Sequence, residues 1–383
     1  MKNNIINDDC VIYGNPHFPT GRGSTAIGHF RAFKAILKPK PIFDIFSRDY
    51  DFPDPDIKKE LREFIVRKPG KINIFHINAD EVDRTLTHLG GLQKNSYNII
   101  YPFWELSKYP GPWINILDQF DEIWAPSRFI EDSIKVGLPN KIISHMPLPV
   151  QLNINKLFGR RYFNLPEQSY IFLFFFDFRS YIDRKNPAAI LDVFQKIEDV
   201  YPQADYRIVI KVHGSNIVGK PSDDYKQFIE LINQSKLRKK VIMIDKVYTN
   251  NEINNLMYSI DCFISLHRSE GFGLGIAEAM YLGKPVICTG YSGNLDFTND
   301  KVAHLIKYKL LPVLKDQYPY YEGQAWADPD VTHAANTVLQ LLEDKQAGRD
   351  MGNRASLHIR TYFSYLAMGL RYQQRIDKVA SEL

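Results

Sequence analysis

Residues 267–280 read HRSEGFGLGIAEAM, with Glu270 and Glu278 eight positions apart and Gly271, Gly273 and Gly275 following the first acid. On one continuous helix the two carboxylates would stand roughly 80° apart around the axis and about 12 Å apart along it. They could not easily share one small group. The glycines discourage early helix and permit unusual dihedrals. The sequence therefore predicts a helix that starts near Leu274 and stops at Gly283, ahead of Pro285. Glu270 then sits in a loop at the helix N-terminus and Glu278 further along the helix. The N–H groups of Phe272, Gly273 and Leu274 would point into the same space and form an anion seat. Two acids beside an anion seat suit a ligand with hydroxyls and phosphate, since a carboxylate accepts charge-assisted hydrogen bonds from a vicinal diol. The plainer reading is that Glu278 faces solvent and the glycines only turn the chain.

A second cluster follows the run YIFLFFFDF (170–178), in RSYIDRKNP. Arg179 lies at the carboxyl end of that run. Lys185 precedes Asn186, placed to cap a helix, and Pro187, placed at its first position. An arginine and a lysine six apart around a strand-to-helix turn fit a diphosphate that gains charge as it leaves. Arg184 could stand in for either. The competing reading is an exposed charged turn.

These residues need elements to hold them. Short apolar runs occur at 11–14, 72–77, 97–103, 122–126 and 141–146, then at 170–178, 206–212, 240–245, 261–266 and 285–289. Most are apolar at nearly every position, as in strands buried on both faces of a parallel sheet. Helical stretches separate them; TNNEINNLMYSI (249–260) opens with Thr249 and Glu252 at capping-box spacing. Alternating strands and helices predict a doubly wound α/β sheet. The pattern runs twice, on either side of MPLPVQLNINKLFG (146–159), and 383 residues exceed what one core usually organises, so a domain boundary is placed near 150. The stretch 356–379 reads as one or two long helices.

Composition narrows the function. Charged residues at 24% and hydrophobic residues at 44% are ordinary for a globular protein, and a net charge of +4 does not point to nucleic acid. Cys10, Cys262 and Cys288 are too scattered for a disulfide framework or zinc site and favour a reducing, cytoplasmic compartment. The N-terminus lacks the apolar core of a signal peptide, and the longest apolar run is too short to span a bilayer. The histidines form no ligand pair, and the D-P-D runs of DFPDPD (51–56) and WADPD (326–330) read as rigid turns, so no metal site is expected.

SEGFGLGIAEAM resembles the E-x7-E segment of the group 1 (family 4) retaining glycosyltransferases. FRSYIDRKNP is similar to that family's arginine-then-lysine element, and YSGNLDF (291–297) falls where the family has another loop near the donor. The likeness is strong from about 168 to 300. In the first half FDEIWAPSRF (120–129) resembles a family segment, and with YPFWELSKYPGPW (101–113) it points to a branch that builds bacterial surface polysaccharide. The resemblance implies the GT-B architecture: two doubly wound Rossmann-like domains facing a central cleft. Residues 1–150 would form the acceptor side, 151–355 the donor domain, and 356–383 helices that pack back on the first domain.

It also implies roles. Glu278 would bind the donor ribose, and Arg179 and Lys185 the nucleotide diphosphate. Glu270, with the amides of Phe272 and Gly273, would contact the transferred sugar, and Leu274 would lie against the phosphates. The reaction expected is retaining, metal-independent transfer of a hexose-type sugar from a nucleotide-diphosphate sugar to a glycan or lipid-linked acceptor, with no cofactor beyond that co-substrate. Gly21, Arg22 and Gly23 match the position of the family's glycine-bearing loop after the first strand. One departure stands out: a histidine common in the family is replaced by YPFWELSKYP, where Glu105 could take a polar role and Trp104 could stack on a sugar or sit in the core. His76 lies one strand earlier. Residues 29–41 read as an amphipathic helix that is either an ordinary surface helix or a peripheral contact with the inner face of a membrane. The rival functions are a nucleotide-sugar-binding or partner-binding module without turnover, and a glycoside hydrolase using Glu270 and Glu278.

Overall fold

The structure is a computed structural model and describes residues 9–17, 21–46, 55–217 and 220–383. The apolar runs become strands of two sheets in which all pairings are parallel. Strands covered on both faces need no polar side, which is why the runs do not alternate. The chain divides into two compact units, residues 1–151 with 361–383, and residues 152–360.

The first unit holds β1 (Cys10–Gly14), β2 (Ile42–Asp44), β3 (Ile65–Val66), β4 (Ile72–Phe75), β5 (Tyr97–Ile100), β6 (Glu122–Ala125) and β7 (Ile143–His145). They lie in the order β3-β2-β1-β4-β5-β6-β7. Crossovers are made by α1 (Gly21–Ala35), α2 (Pro55–Leu61), α3 (Ala79–Leu89), α4 (Gly111–Asp118) and α5 (Arg128–Lys135). Phe30 and Phe33 of α1 are fully buried, while Arg31 and Lys34 both donate to Glu60 of α2. Phe30, Ala32 and Phe33 thus serve this unit's core, whereas Leu37, at the end of the same stretch, is 90% exposed.

The second unit holds β8 (Tyr170–Asp177), β9 (Tyr206–His213), a short ladder of β10 (Asn216–Ile217) and β11 (Lys220–Pro221), then β12 (Val241–Ile244), β13 (Cys262–Ser265), β14 (Val286–Thr289) and β15 (His304–Ile306). An antiparallel hairpin, β16 (Tyr308–Pro312) and β17 (Ala325–Pro329), follows. The sheet order is β12-β9-β8-β13-β14-β15. The helices are α6 (Ile182–Lys185), α7 (Pro187–Val200), α8 (Asp223–Gln234), α9 (Asn250–Ser259), α10 (Leu274–Tyr281), α11 (Val331–Glu343) and α12 (Lys345–Tyr362). Phe172, Phe174, Phe194 and Tyr206 interleave in the core. The Thr249–Glu252 capping box forms as expected. The side chains of Asn251, Asn254 and Asn255 of α9 hold the main chain at 153–158 through hydrogen bonds to its N–H and carbonyl groups.

The last helix, α13 (Tyr365–Glu382), belongs to the first unit and packs on α1. A Cβ on Gly369 would stand 2.2 Å from the Ala32 carbonyl oxygen, so only glycine permits this approach. Tyr372 stacks on His29 at 4.3 Å and donates to the Pro147 carbonyl. Among the described residues no helix is long and apolar enough to cross a membrane.

Two local expectations are corrected. WADPD is not a turn: Ala325–Pro329 is strand β17, and Asp330 caps α11 by accepting from the His333 amide. Asn186 does not cap α7 with its side chain. It adopts a left-handed conformation, ends α6, and donates its amide to the Leu266 carbonyl. Residues 51–54 of DFPDPD lie outside the described residues.

In both sheets the strand order reverses beside the first strand, between β1 and β4 and between β8 and β13. Open α/β sheets hold ligands beyond the carboxyl ends of the strands at such a reversal. In the second unit the segments leaving that point are Phe178–Lys185 and His267–Gly273, the two stretches singled out in the sequence.

Candidate functional site

The segment after β8 turns through left-handed conformations at Tyr181 (φ 62°) and Asn186 (φ 54°). Such residues cost strain and need surrounding support. Asp177 receives three hydrogen bonds from Arg179: the main-chain N–H at 2.8 Å, Nε at 3.0 Å and Nη2 at 2.6 Å. Arg179 remains more than half exposed. A Cβ on Gly214 would come within 2.5 Å of Asp177 Oδ1, so the glycine at the end of β9 leaves room for this pair. Lys185 instead reaches Glu270 Oε1 at 2.5 Å.

The segment after β13 is pinned from three sides. His267 is fully buried between Ser265 Oγ at 3.1 Å and Asn294 Oδ1 at 3.1 Å. Its carbonyl accepts from Thr289 Oγ1, and the Arg268 amide donates to the Arg184 carbonyl. The Glu270 amide donates to Ser292 Oγ at 2.8 Å, and the Glu270 carbonyl accepts from the Gly293 amide at 2.9 Å. YSGNLDF thus acts as a strap over the Glu270 loop. Arg184 is 4% exposed; its Nη1 donates to the Ser269 carbonyl at 3.0 Å and lies 3.4 Å from Glu270 Oε2. Burial works against the Glu270 charge, but Lys185 and Arg184 overcome it and bring its pKa down to about 2.

Among the described residues the N–H groups of Phe272, Gly273, Leu274 and Gly275 make no hydrogen bond. Gly273 has φ 91°, and α10 begins at Leu274 as the sequence predicts. Glu278 is half-buried on α10, and among the described residues its carboxylate has no hydrogen bond or ion pair. Burial pushes its pKa up to about 7. Two acids driven this far apart can resemble a hydrolase's acid pair. Here, however, the ionised member is already neutralised by two cations.

A cavity of about 290 Å³ opens beside these groups, lined by Asp177, Ser180, Lys185, Lys211, His213 and Ile253 together with Phe175. Phe175 also packs under α10, since a Cβ on Gly275 would fall 2.6 Å from its ring. The cavity and the start of α10 therefore share a wall. A larger hollow of about 750 Å³ lies along the edge strand β15 and contains none of the predicted residues.

The structure brings together Lys185, Arg184 and Glu270, and holds Arg179 on Asp177 at the edge of the same cavity. Arg184 is turned inward to the Glu270 loop. In the first unit, Gly21, Arg22 and Gly23 form the first turn of α1 instead of an open loop, and their side chains lie outside the described set. Trp104 is a core residue: it is 3% exposed, donates Nε1 to the Lys108 carbonyl and packs against Tyr109 and Trp113. Its faces are covered, which removes the stacking role considered above. Glu105 is half-buried after β5. His76 is buried at the end of β4, 3.3 Å from Thr25 Oγ1. Among the described residues no group of three or more His, Cys, Asp or Glu side chains gathers to hold a metal ion. Asp177, Ser292 and Lys211 escaped the sequence reading. Lys211 had a signal, as the charged residue inside the apolar run YRIVIKV.

Comparison with known proteins places these elements in a family. Residues 159–358 match the family described as glycosyl transferases group 1. Trehalose synthase of Thermococcus litoralis is 27% identical over 183 residues, which are 45% of this chain and 36% of that protein. The chain therefore spans about a third of the length of the curated relatives it matches. Sucrose-phosphate synthase from Thermosynechococcus elongatus superposes with a TM-score of 0.70 at 14% identity, over 98% of this chain and 99% of that one. Anabaena Alr3699/HepE, solved in complex with UDP-glucose, gives 0.65 at 14% identity over 98% and 99% of the two chains. The fold is thus that of GT-B proteins.

Proposed function

From the premise that this chain belongs to the group 1 glycosyl transferases, we propose that it transfers a hexose-type sugar from a nucleotide diphosphate to a glycan or lipid-linked acceptor, in the synthesis of a surface polysaccharide. The observation that carries the donor site is Glu278, a half-buried carboxylate with no partner among the described residues, one turn from a row of unengaged amides. A ribose diol supplies two hydroxyl donors to such a carboxylate. The diphosphate then lies against the amides of Phe272, Gly273, Leu274 and Gly275, with Lys185 and Arg179 at its flank. Glu270 faces the sugar. HepE, which shares the fold, binds UDP-glucose.

The chemistry asks most for stabilisation of charge on the departing diphosphate. In the proposed step the acceptor oxygen bonds to the anomeric carbon as the carbon–phosphate oxygen bond breaks. The hydroxyl proton passes to the leaving phosphate on the same face, so the anomeric configuration is retained. Lys185, Arg179 and the helix amides supply fixed positive charge, and the reaction proceeds in the presence of a chelator.

Thermal unfolding with UDP, GDP, ADP and their sugar conjugates tests this reading, for wild type and Glu278→Ala. A ligand at about 100 times its Kd adds roughly 2.7 kcal/mol of stability. A shift with one nucleotide that is lost in Glu278→Ala is expected; no shift with any nucleotide overturns the donor-site assignment. Affinity should also rise between pH 6 and 8, because only the ionised Glu278 accepts both hydroxyls and its pKa is about 7.

A further inference from the structure

Lys211 interrupts an otherwise apolar strand. It is 7% exposed, and its Nζ donates to the Val212 carbonyl at 2.6 Å. Among the described residues no carboxylate lies within ion-pair distance of it. Asp245 and Asp177 favour its charge only from further away, and burial lowers its pKa. An ammonium carries three N–H donors and no acceptor. A buried cation with unengaged donors is costly unless something arrives to meet them.

The surroundings show where that partner would sit. Lys211 stands opposite Phe175 in register, and His213 opposite Asp177. Strand alternation puts all four on one face of the sheet. That face floors the cavity of about 290 Å³, which also takes in Lys185. Tyr248 adds a ring 5.8 Å from Nζ. The cavity is thus a recess walled in part by Phe175, with one buried cation in its floor and the proposed diphosphate ligand Lys185 in its lining.

We propose that Lys211 selects the nucleobase of the donor by donating to the carbonyl oxygen that uracil carries as O4 and guanine as O6, so that uracil or guanine is accepted and adenine and cytosine, with an amino group at that edge, are refused. This rests on the donor-site reading above. Guanine O6 and uracil O4 are acceptors; adenine and cytosine carry an amino donor at the same edge. A donor facing a donor leaves both unpaired in a buried place, and sites built to hydrogen-bond one group discriminate strongly against analogues lacking it.

The test is calorimetric titration of the whole protein with UDP, GDP, ADP and CDP, for wild type, Lys211→Met and Lys211→Gln. Wild type should bind UDP or GDP at least about tenfold more tightly than ADP and CDP. Lys211→Met should lose that preference by weakening the favoured nucleotide alone, with an unliganded melting midpoint no lower than wild type. Lys211→Gln, which offers an acceptor as well as donors, should gain ADP or CDP binding. Equal wild-type affinity for amino and carbonyl bases overturns the inference. So does uniform weakening of all four nucleotides in Lys211→Met, which would make Lys211 a phosphate ligand, or no change in preference in either variant. If wild type binds no nucleotide at all, the donor-site reading fails and this inference falls with it.

Discussion

Glu122 of β6 and Glu270 after β13 are both glutamates held by basic side chains, one in each unit. Glu122 is wholly buried and takes hydrogen bonds from Arg375, Trp124 Nε1, Ser144 Oγ and Tyr97 OH, so α13, β5, β6 and β7 converge on one carboxylate. Nothing is left over. Glu270 is gripped as firmly by Lys185 and Arg184. Its neighbourhood, however, keeps amides and a Glu278 carboxylate with no hydrogen-bond partner among the described residues, and a cavity with a buried lysine. A closed polar cluster serves the fold. One that leaves donors and acceptors unmatched at a strand-order reversal is where we propose that the donor binds.

That contrast can be broken by substitution. Glu122→Ala should show the largest effect, a loss of about 3–5 kcal/mol in stability, because it removes a wholly buried carboxylate and strips the half-buried Arg375, Trp124 Nε1, Ser144 Oγ and Tyr97 OH of their shared acceptor. Denaturant unfolding reads it, while nucleotide affinity of the folded fraction should not change. Lys185→Ala should do the reverse. Transfer should fall by about 10²–10³-fold in kcat, as for loss of one charge-stabilising group, with a far smaller change in the unfolding midpoint. Equal destabilisation by both substitutions would erase the distinction drawn here.

Glu278→Gln sharpens it through pH. The raised pKa means that folded Glu278 holds its proton more tightly than the unfolded chain does. The cost of ionising it is absent below about pH 4.5, grows as pH rises, and is complete above about 7. The variant should therefore be more stable than wild type at pH 8, by at most about 3 kcal/mol, and equal to it at pH 4. Glu270 behaves oppositely: the stability it contributes is present above about pH 4.5 and is lost as pH falls towards 2. A flat stability difference across pH for Glu278→Gln would remove its special standing. Gly275→Ala should show the smallest effect, about 1–3 kcal/mol, because its Cβ would meet the Phe175 ring. Unfolding measurements and nucleotide titration would show the start of α10 displaced.

Much of the second unit was readable in the sequence because its signals are local. Unbroken apolar runs mark buried strands, and Gly273 followed by Leu274 marks a helix start. The acids and bases sit immediately after strands, where topology alone decides their company. What escaped depended on pairings distant in sequence. Lys185 meets Glu270 across 85 positions, and nothing in RSYIDRKNP says that Arg184 turns inward while Arg179 folds onto Asp177. Asn186 and Pro187 look like a helix cap, yet tertiary demand from the Leu266 carbonyl claims the amide. In the first unit Trp104 could be either platform or core from its type alone, and burial by Tyr109 and Trp113 decided it. Short strands such as Ile65–Val66 carry too little periodicity to be seen.

The packing of α13 on α1 bears on the order in which the protein is made. His29 and Phe33 lie on a helix near the beginning of the chain, yet Tyr372 is what covers them, and Arg375 is what neutralises Glu122. During synthesis the second unit, whose residues are contiguous, emerges and can close first. The first unit waits with an uncovered apolar helix face and an unpaired Glu122 until residue 375 has emerged from the ribosome. For that interval the older part of the chain is the unfinished one.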